Sequence, residues 1–207
     1  MKRTSFTIIF ACFALVLVAQ DAIKVKYQGS KPTINDFAWA YLSAYGENDD
    51  DGCINEPLNA VKEAWVKKQN GRKLDKGETL TIDKKNGYVC YESKHEEHML
   101  RVEMCYWNES DGKHKLFAYN VASFRNGKYE PGQFDSLTFY RYTNSTKKMT
   151  MYSVPGFDAV YDKVNDGNCL YFDLPRTGKN ITANYMNYAS KKITPKTLKW
   201  NGSKFRF

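Results

Sequence analysis

Residues 78–107, ETLTIDKKNGYVCYESKHEEHMLRVEMCYW, decide the fold. Before Glu78 apolar residues recur every three or four positions, and from Glu78 onward they recur every second one. Thr79-Leu-Thr-Ile-Asp83, Tyr88-Val-Cys-Tyr-Glu-Ser93 and Leu100-Arg-Val-Glu-Met-Cys-Tyr-Trp107 therefore read as three strands. Asn86-Gly87 supplies the positive φ angles of a tight hairpin between the first two. The second and third turn back on each other around residues 96–99.

Turn signals recur to the end of the chain at Asp111-Gly112, Asn126-Gly127, Asn144-Ser145, Asp166-Gly167, Thr177-Gly178 and Asn201-Gly202. The runs between them include Leu116-Phe-Ala-Tyr119, Leu137-Thr-Phe-Tyr-Arg-Tyr142, Met149-Thr-Met-Tyr152, Leu170-Tyr-Phe-Asp-Leu174 and Thr197-Leu-Lys-Trp200. About nine to eleven strands fit this spacing. Consecutive hairpins predict a meander, in which sequence neighbours are sheet neighbours. The 15% aromatic content suits such a pleated, half-buried surface.

Upstream of Glu78 lie two helices. The first, over about residues 33–45, is capped by Thr33 with Asp36 three residues on, and Ile34, Phe37, Tyr41 and Ala44 form its apolar stripe. Gly46 ends it. The second, over about 56–69, carries Pro57 in its first turn and buries Leu58, Val61 and Trp65; Gly71 stops it. Ile23-Lys-Val-Lys-Tyr27 alternates as a short strand or extended arm. The expected architecture is α+β: a helix pair packed on a long, curved antiparallel meander, with residues 20–207 forming one domain and 78–207 its strand-rich part.

The N-terminus predicts export. Lys2 and Arg3 precede FTIIFACFALVLV at residues 6–18, and small residues follow, the order of a secretory signal with cleavage after Ala19. The apolar run is too short for a membrane span. Ile9-Phe-Ala-Cys12 partly matches a lipidation signal, but the run continues past Cys12, which favours a free mature chain. Loss of Lys2 and Arg3 lowers the net charge from +8 to +6. The remaining basic pairs are scattered over turns and helix ends, and an exported chain argues against nucleic acid as partner.

Cys53, Cys90, Cys105 and Cys169 remain after cleavage. In an oxidising compartment they permit two disulfides in any of three connectivities. The hairpin around residues 96–99 brings Cys90 near Cys105, either as a bonded pair or as two small apolar residues on one buried face.

Little of the sequence carries chemistry. His95, His98 and His114 sit in or beside turns, and HEEH at residues 95–98 lacks the helical spacing of zinc proteases. The acidic loop Glu47–Glu56 places Glu47, Asp49, Asp51 and Gly52 like part of a calcium loop, but Leu58 stands where the bidentate Glu is needed. Arg176-Thr-Gly-Lys179 lacks the glycine frame of a phosphate loop. Asn108, Asn144, Asn180 and Asn201 begin N-x-Ser/Thr triplets, which double as turn composition. The chain ends on Phe207, as outer-membrane barrels often do, but its strands are short and its mean hydropathy is −0.63. No catalytic, cofactor-binding or metal-ligating residue is assigned, and no cofactor is expected.

At Glu103-Met-Cys-Tyr-Trp-Asn108, Asp111-Gly-Lys-His-Lys-Leu-Phe-Ala118, Leu74-Asp-Lys-Gly-Glu-Thr-Leu80 and Lys196-Thr-Leu-Lys-Trp-Asn-Gly-Ser-Lys-Phe205 the chain resembles uncharacterised exported proteins of Bacteroidetes-type bacteria. The resemblance implies a Gram-negative periplasmic, surface or secreted location, and brings no activity. The expectation is a non-catalytic binding or envelope protein whose partner is a glycan, a peptide or another envelope protein. Its Tyr and Trp residues suit contact surfaces. The alternatives are a secreted hydrolase with paired carboxylates and an exported calcium-binding domain.

Overall fold

A computed structural model describes residues 22–45, 56–164 and 167–207, and Glu78 is where helices give way to strands. The chain opens with β1 (Ile23–Lys24), α1 (Ile34–Tyr45) and α2 (Glu56–Gln69). At the start of α1 the Asp36 carboxylate accepts from both Thr33 N and Thr33 Oγ1 at 2.7 Å, the reciprocal contact expected of the cap. The buried face comprises Ile34, Phe37, Ala38, Tyr41 and Leu42. Ala44, expected on the stripe, is exposed, because Leu42 rotates the buried face toward the previous turn. α2 buries Pro57, Leu58, Val61, Ala64 and Trp65. It ends as expected at Gly71, whose φ is +68°, with Arg72 N bonded to Lys67 O at 2.8 Å and Gly71 N to Lys68 O at 3.2 Å. That pair of bonds satisfies two carbonyls a helix end leaves open. Gly46, Cys53 and most of the acidic loop Glu47–Glu56 lie outside the described residues.

Eight strands form the long sheet. After β1 these are β2 (Glu78–Asp83), β3 (Tyr88–His95), β4 (His98–Asn108), β5 (His114–Arg125), β6 (Lys128–Tyr129), β7 (Ser136–Thr143) and β8 (Lys148–Met151). Their order is β1-β8-β7-β5-β4-β3-β2, with β6 paired to β5 beyond the reach of β7, and every pairing is antiparallel. The α+β meander with its N-terminal helix pair is therefore the fold the chain adopts. The sequence did not separate its last third: β9 (Asn168–Asp173), β10 (Ile181–Asn187), β11 (Ile193–Trp200) and β12 (Phe205–Arg206) form a second sheet ordered β12-β11-β10-β9. A 3₁₀ helix, Asp158–Lys163, lies between the sheets in sequence.

The long sheet is covered on both faces. α1 and α2 pack with Leu80, Val89, Tyr91, Val102, Met104, Phe117, Tyr119 and Tyr142 on one side. The second sheet and the 3₁₀ helix pack on the other, against Tyr88, Cys105, Trp107, Leu116, Ala118 and Phe139. This is why β5 is buried at seven consecutive positions from Leu116 to Ala122 and not only at alternate ones. Much of the aromatic content serves this core. The Tyr41 ring of α1 lies 4.9–5.6 Å from those of Phe117, Tyr119 and Tyr140, at tilted and edge-on angles.

The β3–β4 hairpin bears out the second alternative for its cysteines: Cys90 and Cys105 are unbonded and pack on one face, in the core between the sheets. Its turn residues are Glu96 and Glu97, so His95 faces His98, Cys90 faces Glu103, and Cys105 faces Tyr88. A direct Cys90–Cys105 pairing needs a turn centred one residue later. Cys90, Cys105 and Cys169 are all free thiols, and Cys53 is outside the described residues.

Gly77, just before β2, is a position where glycine is required. Its φ is +90°, and a Cβ there would lie 2.1 Å from the Lys94 carbonyl oxygen. Gly77→Ala combines left-handed strain with a backbone clash, and the expected cost is about 2–4 kcal/mol. In a chain of this length that lowers the thermal midpoint by roughly 5–12 °C, readable by calorimetry; an unchanged midpoint would contradict the β2–β3 geometry.

Candidate functional site

The β4–β5 turn collects the polar side chains that the sheet core excludes. Asp111 folds the turn around its own carboxylate, where Oδ1 accepts from Lys113 N at 2.8 Å and His114 N at 3.0 Å. Its other oxygen meets His114 Nδ1 at 2.5 Å. These contacts, the His114 side chain first, hold the Asp111 carboxyl down at about 2. Glu109, only 8% exposed, faces Arg141 of β7. Arg141 Nε donates to Glu109 Oε1 at 2.8 Å, and Nη2 donates to Oε2 at 2.5 Å and to Asp111 Oδ2 at 3.3 Å. The guanidinium also lies 5.2 Å from the Tyr152 ring centroid.

Glu109, Asp111 and His114 offer three ligand-type atoms within 4.8 Å of one another, the one such set among the described residues. A divalent ion there would have to displace a guanidinium already bonded to both carboxylates. The three side chains form an Arg-centred ion network, and none is assigned as a metal ligand.

Beside this network opens a groove of about 590 Å³ between the turn and residues 27–32. Tyr27 and Tyr106 contribute rings, each with a lysine ammonium over one face, Asn108 and Asn144 amides, and Lys31, His114 and Lys115 cationic or donor groups. Lys115 Nζ donates to Asn108 Oδ1 and sits 5.3 Å from the Tyr106 centroid. Burial, and then the neighbouring Lys31 ammonium, lower the Lys115 pKa. Among the described residues neither lysine forms an ion pair with a carboxylate. The acids at the groove are bonded to Arg141 or His114. The groove therefore presents uncompensated positive charge, hydrogen-bonding amides and aromatic faces.

The histidines separate along β4 and β5. His95 and His98 flank the Glu96-Glu97 turn in solvent at one end, and His114 lies at the other. Arg176 and Lys179 do not cradle an anion: Arg176 bonds Asp83 Oδ2 at 3.0 Å, and the Lys179 carbonyl accepts from Trp107 Nε1 at 3.0 Å. Asn201 accepts from Ser203 N and Lys204 N, so it serves its turn. Glu109, Arg141 and Lys115 were missed by sequence reasoning. Arg141 reads as the polar half of an alternating strand, and its partner lies 32 residues away.

A second polar cluster lies between the sheets. Glu103, 3% exposed, accepts from Tyr88 Oη at 2.6 Å, Asn120 Nδ2 at 3.0 Å and Leu174 N at 3.3 Å. Arg101 approaches it at 3.6 Å and pairs with Asp173. Burial raises the Glu103 pKa against the opposing pull of Arg101. The same burial pushes the Cys90 thiol up to about 11 and Cys105 well above the usual range. At pH 8 both cysteines are expected to resist alkylation in the folded protein and to react in denaturant, as peptide mass spectrometry would read; rapid native labelling of Cys105 would contradict its burial.

The fold and groove define a three-layer α+β protein with a cationic, aromatic-lined groove at one end of its long sheet. No family model matches the chain, and neither a curated protein nor a solved structure is similar to it.

Proposed function

We propose that the chain is an exported, non-catalytic binding protein whose groove holds an acidic glycan. The groove itself carries this reading: two lysines without a carboxylate partner beside tyrosine rings and side-chain amides, with the nearby acids bonded to Arg141 or His114. Ring faces suit sugar planes, amides suit hydroxyls, and the lysines suit a carboxylate or sulfate. The signal-like N-terminus and the resemblance to exported Bacteroidetes-type proteins support an envelope or secreted location.

The hydrolase reading meets a chemical obstacle. Glu109 and Asp111 converge at the groove, as paired carboxylates must, but glycoside hydrolysis needs one of them protonated. Arg141 contacts both, and Asp111 titrates near 2. Asp111, held down at about 2, does not serve as the acid of such a pair.

A glycan array probed with residues 20–207, followed by calorimetry on the hits, tests the proposal. Acidic glycans should bind and weaken as salt is raised, and Lys115→Met should lower affinity about tenfold or more. Binding that ignores both salt and Lys115, or no hit among acidic glycans, would overturn it.

A further inference from the structure

A cavity of about 260 Å³ lies where β7 begins beside β5, next to β9 and lined in part by residues 129–136. Its lining includes Asn120, Asp135 and the rings of Tyr129, Tyr161 and Tyr171. It shares no lining residue with the groove.

Two buried acceptor atoms in this lining have no well-formed hydrogen bond. Asn120 is 1% exposed, and its Nδ2 donates to Glu103 Oε2 and to the Phe172 carbonyl, each at 3.0 Å. The carbonyl is an obligate acceptor, and the Glu103 oxygen also accepts from Leu174 N. The amide orientation is thereby fixed, which leaves Asn120 Oδ1 as a buried acceptor with no hydrogen bond. Asp135 is similar: Oδ1 accepts from Ser123 Oγ at 2.7 Å, and Oδ2 is buried with no well-formed hydrogen bond, although the Tyr129 hydroxyl lies close enough to interact with the carboxylate. The nearby Tyr129 hydroxyl donates to Leu170 O at 3.4 Å. Gly132 keeps this arrangement tight, since a Cβ there would lie 2.4 Å from Ser123 Oγ and 3.1 Å from Asp135 Oδ1.

Buried polar atoms in folded proteins are rarely left without partners, and two under-satisfied acceptors in one cavity call for one donor-rich occupant. A neutral water supplies two donors but no charge to offset the carboxylate. The walls are aromatic: Tyr129 and Tyr171 stack at 4.2 Å, and Tyr161 is half exposed at the rim. A carboxylate and an amide oxygen within tyrosine rings are the chemistry that recognises a cation able to donate hydrogen bonds. We propose that this cavity binds the primary ammonium group of a small molecule, with Asp135 and Asn120 accepting its N–H groups and Tyr161 covering it. The volume suits a molecule of several heavy atoms, since one water occupies only about 30 Å³.

The experiment uses pairs of probes that differ in charge and little in shape: n-butylammonium against n-butanol, and glucosamine against glucose. Each is titrated into residues 20–207 by calorimetry and by amide chemical shifts. The ammonium member of at least one pair should bind at least tenfold tighter than its neutral twin and shift the amides of Asn120, Asp135 and Tyr171; which pair responds identifies a sugar or an alkyl frame. Asp135→Asn should abolish that preference. Tyr161→Ala, at an exposed position that the fold tolerates, should weaken binding several-fold and keeps the test intact if the Asp135 variant is unstable. Equal affinity for charged and neutral twins, no binding by any ammonium probe at tens of millimolar, or a preference that survives Asp135→Asn would overturn the proposal and leave the cavity to ordered water.

Discussion

Replacing Glu103 with Leu should destabilise the protein by about 3–5 kcal/mol, the largest single effect expected outside the hydrophobic core. The carboxylate accepts from Tyr88, Asn120 and the Leu174 backbone, and it joins β3, β4 and β5 of the long sheet to the end of β9. Leucine fills the space and removes this acceptor from Tyr88 Oη and Leu174 N, while Asn120 Nδ2 keeps only the Phe172 carbonyl and Arg101 keeps Asp173 as its carboxylate partner. Glu103→Gln should cost only about 1 kcal/mol, because its oxygen can serve Asn120 and Leu174 while its amide turns toward the Tyr88 oxygen. Denaturant titrations of the three proteins read the difference, and equal losses for Leu and Gln would mean that packing, not hydrogen bonding, sets the cost.

The pH dependence gives an independent check with a definite sign. Burial raises the folded-state pKa of Glu103 above its ordinary value near 4.5. Its contribution is therefore fully present below 4.5 and is lost as pH rises through the folded value. The stability of wild type relative to Glu103→Gln should fall as pH increases across that window. Asp111 has the opposite sign: its carboxyl is held near 2, so its contribution is present above about 3.8 and lost as pH falls toward 2.

Arg141→Met is the second large effect, expected at about 2–3 kcal/mol. A fully buried ion pair that loses one partner costs about 3–5 kcal/mol, and the partial exposure of Arg141 reduces this. Methionine keeps the contact with Tyr152 and removes every donor from Glu109, whose side chain is 6% exposed. The double variant Arg141→Met/Glu109→Gln should recover part of the loss, since no unpaired charge then stays buried. The coupling energy from the double-mutant cycle should be on the order of 1–2 kcal/mol; a coupling near zero would show that Arg141 acts through packing alone.

Both helices were legible because their signals are local. The Thr33–Asp36 cap, Pro57 and Gly71 each act within a few residues, and the observed ends match them. The hairpins were legible for the same reason, since Asn-Gly and Asp-Gly pairs fix their own backbone. Where a turn lacks glycine its centre is less sharply marked: Glu96-Glu97 centres the β3–β4 hairpin one residue early, which makes Cys90 and Cys105 diagonal neighbours on one buried face and not a directly facing pair. The second sheet was illegible as a separate layer because sheet membership depends on where the chain crosses. That crossing, residues 152–164, has no period, and Val154, Phe157 and Val160 bury themselves in it. The burial of β4 and β5 on both faces is visible only faintly, in runs such as Leu116-Phe-Ala-Tyr119. The groove was hidden most completely. Arg141, Glu109 and Lys115 are brought together by the pairing register, and Lys31 joins them from the segment between β1 and α1.

The most direct test of the groove as the binding surface is a nitrogen-15 chemical-shift titration of residues 20–207 with an acidic oligosaccharide chosen from the array. Saturable shifts are expected at Tyr27, Lys31, Tyr106, Asn108, His114, Lys115 and Asn144, with β10 and β11 unaffected. Shifts centred elsewhere, or none at saturating ligand, would contradict it.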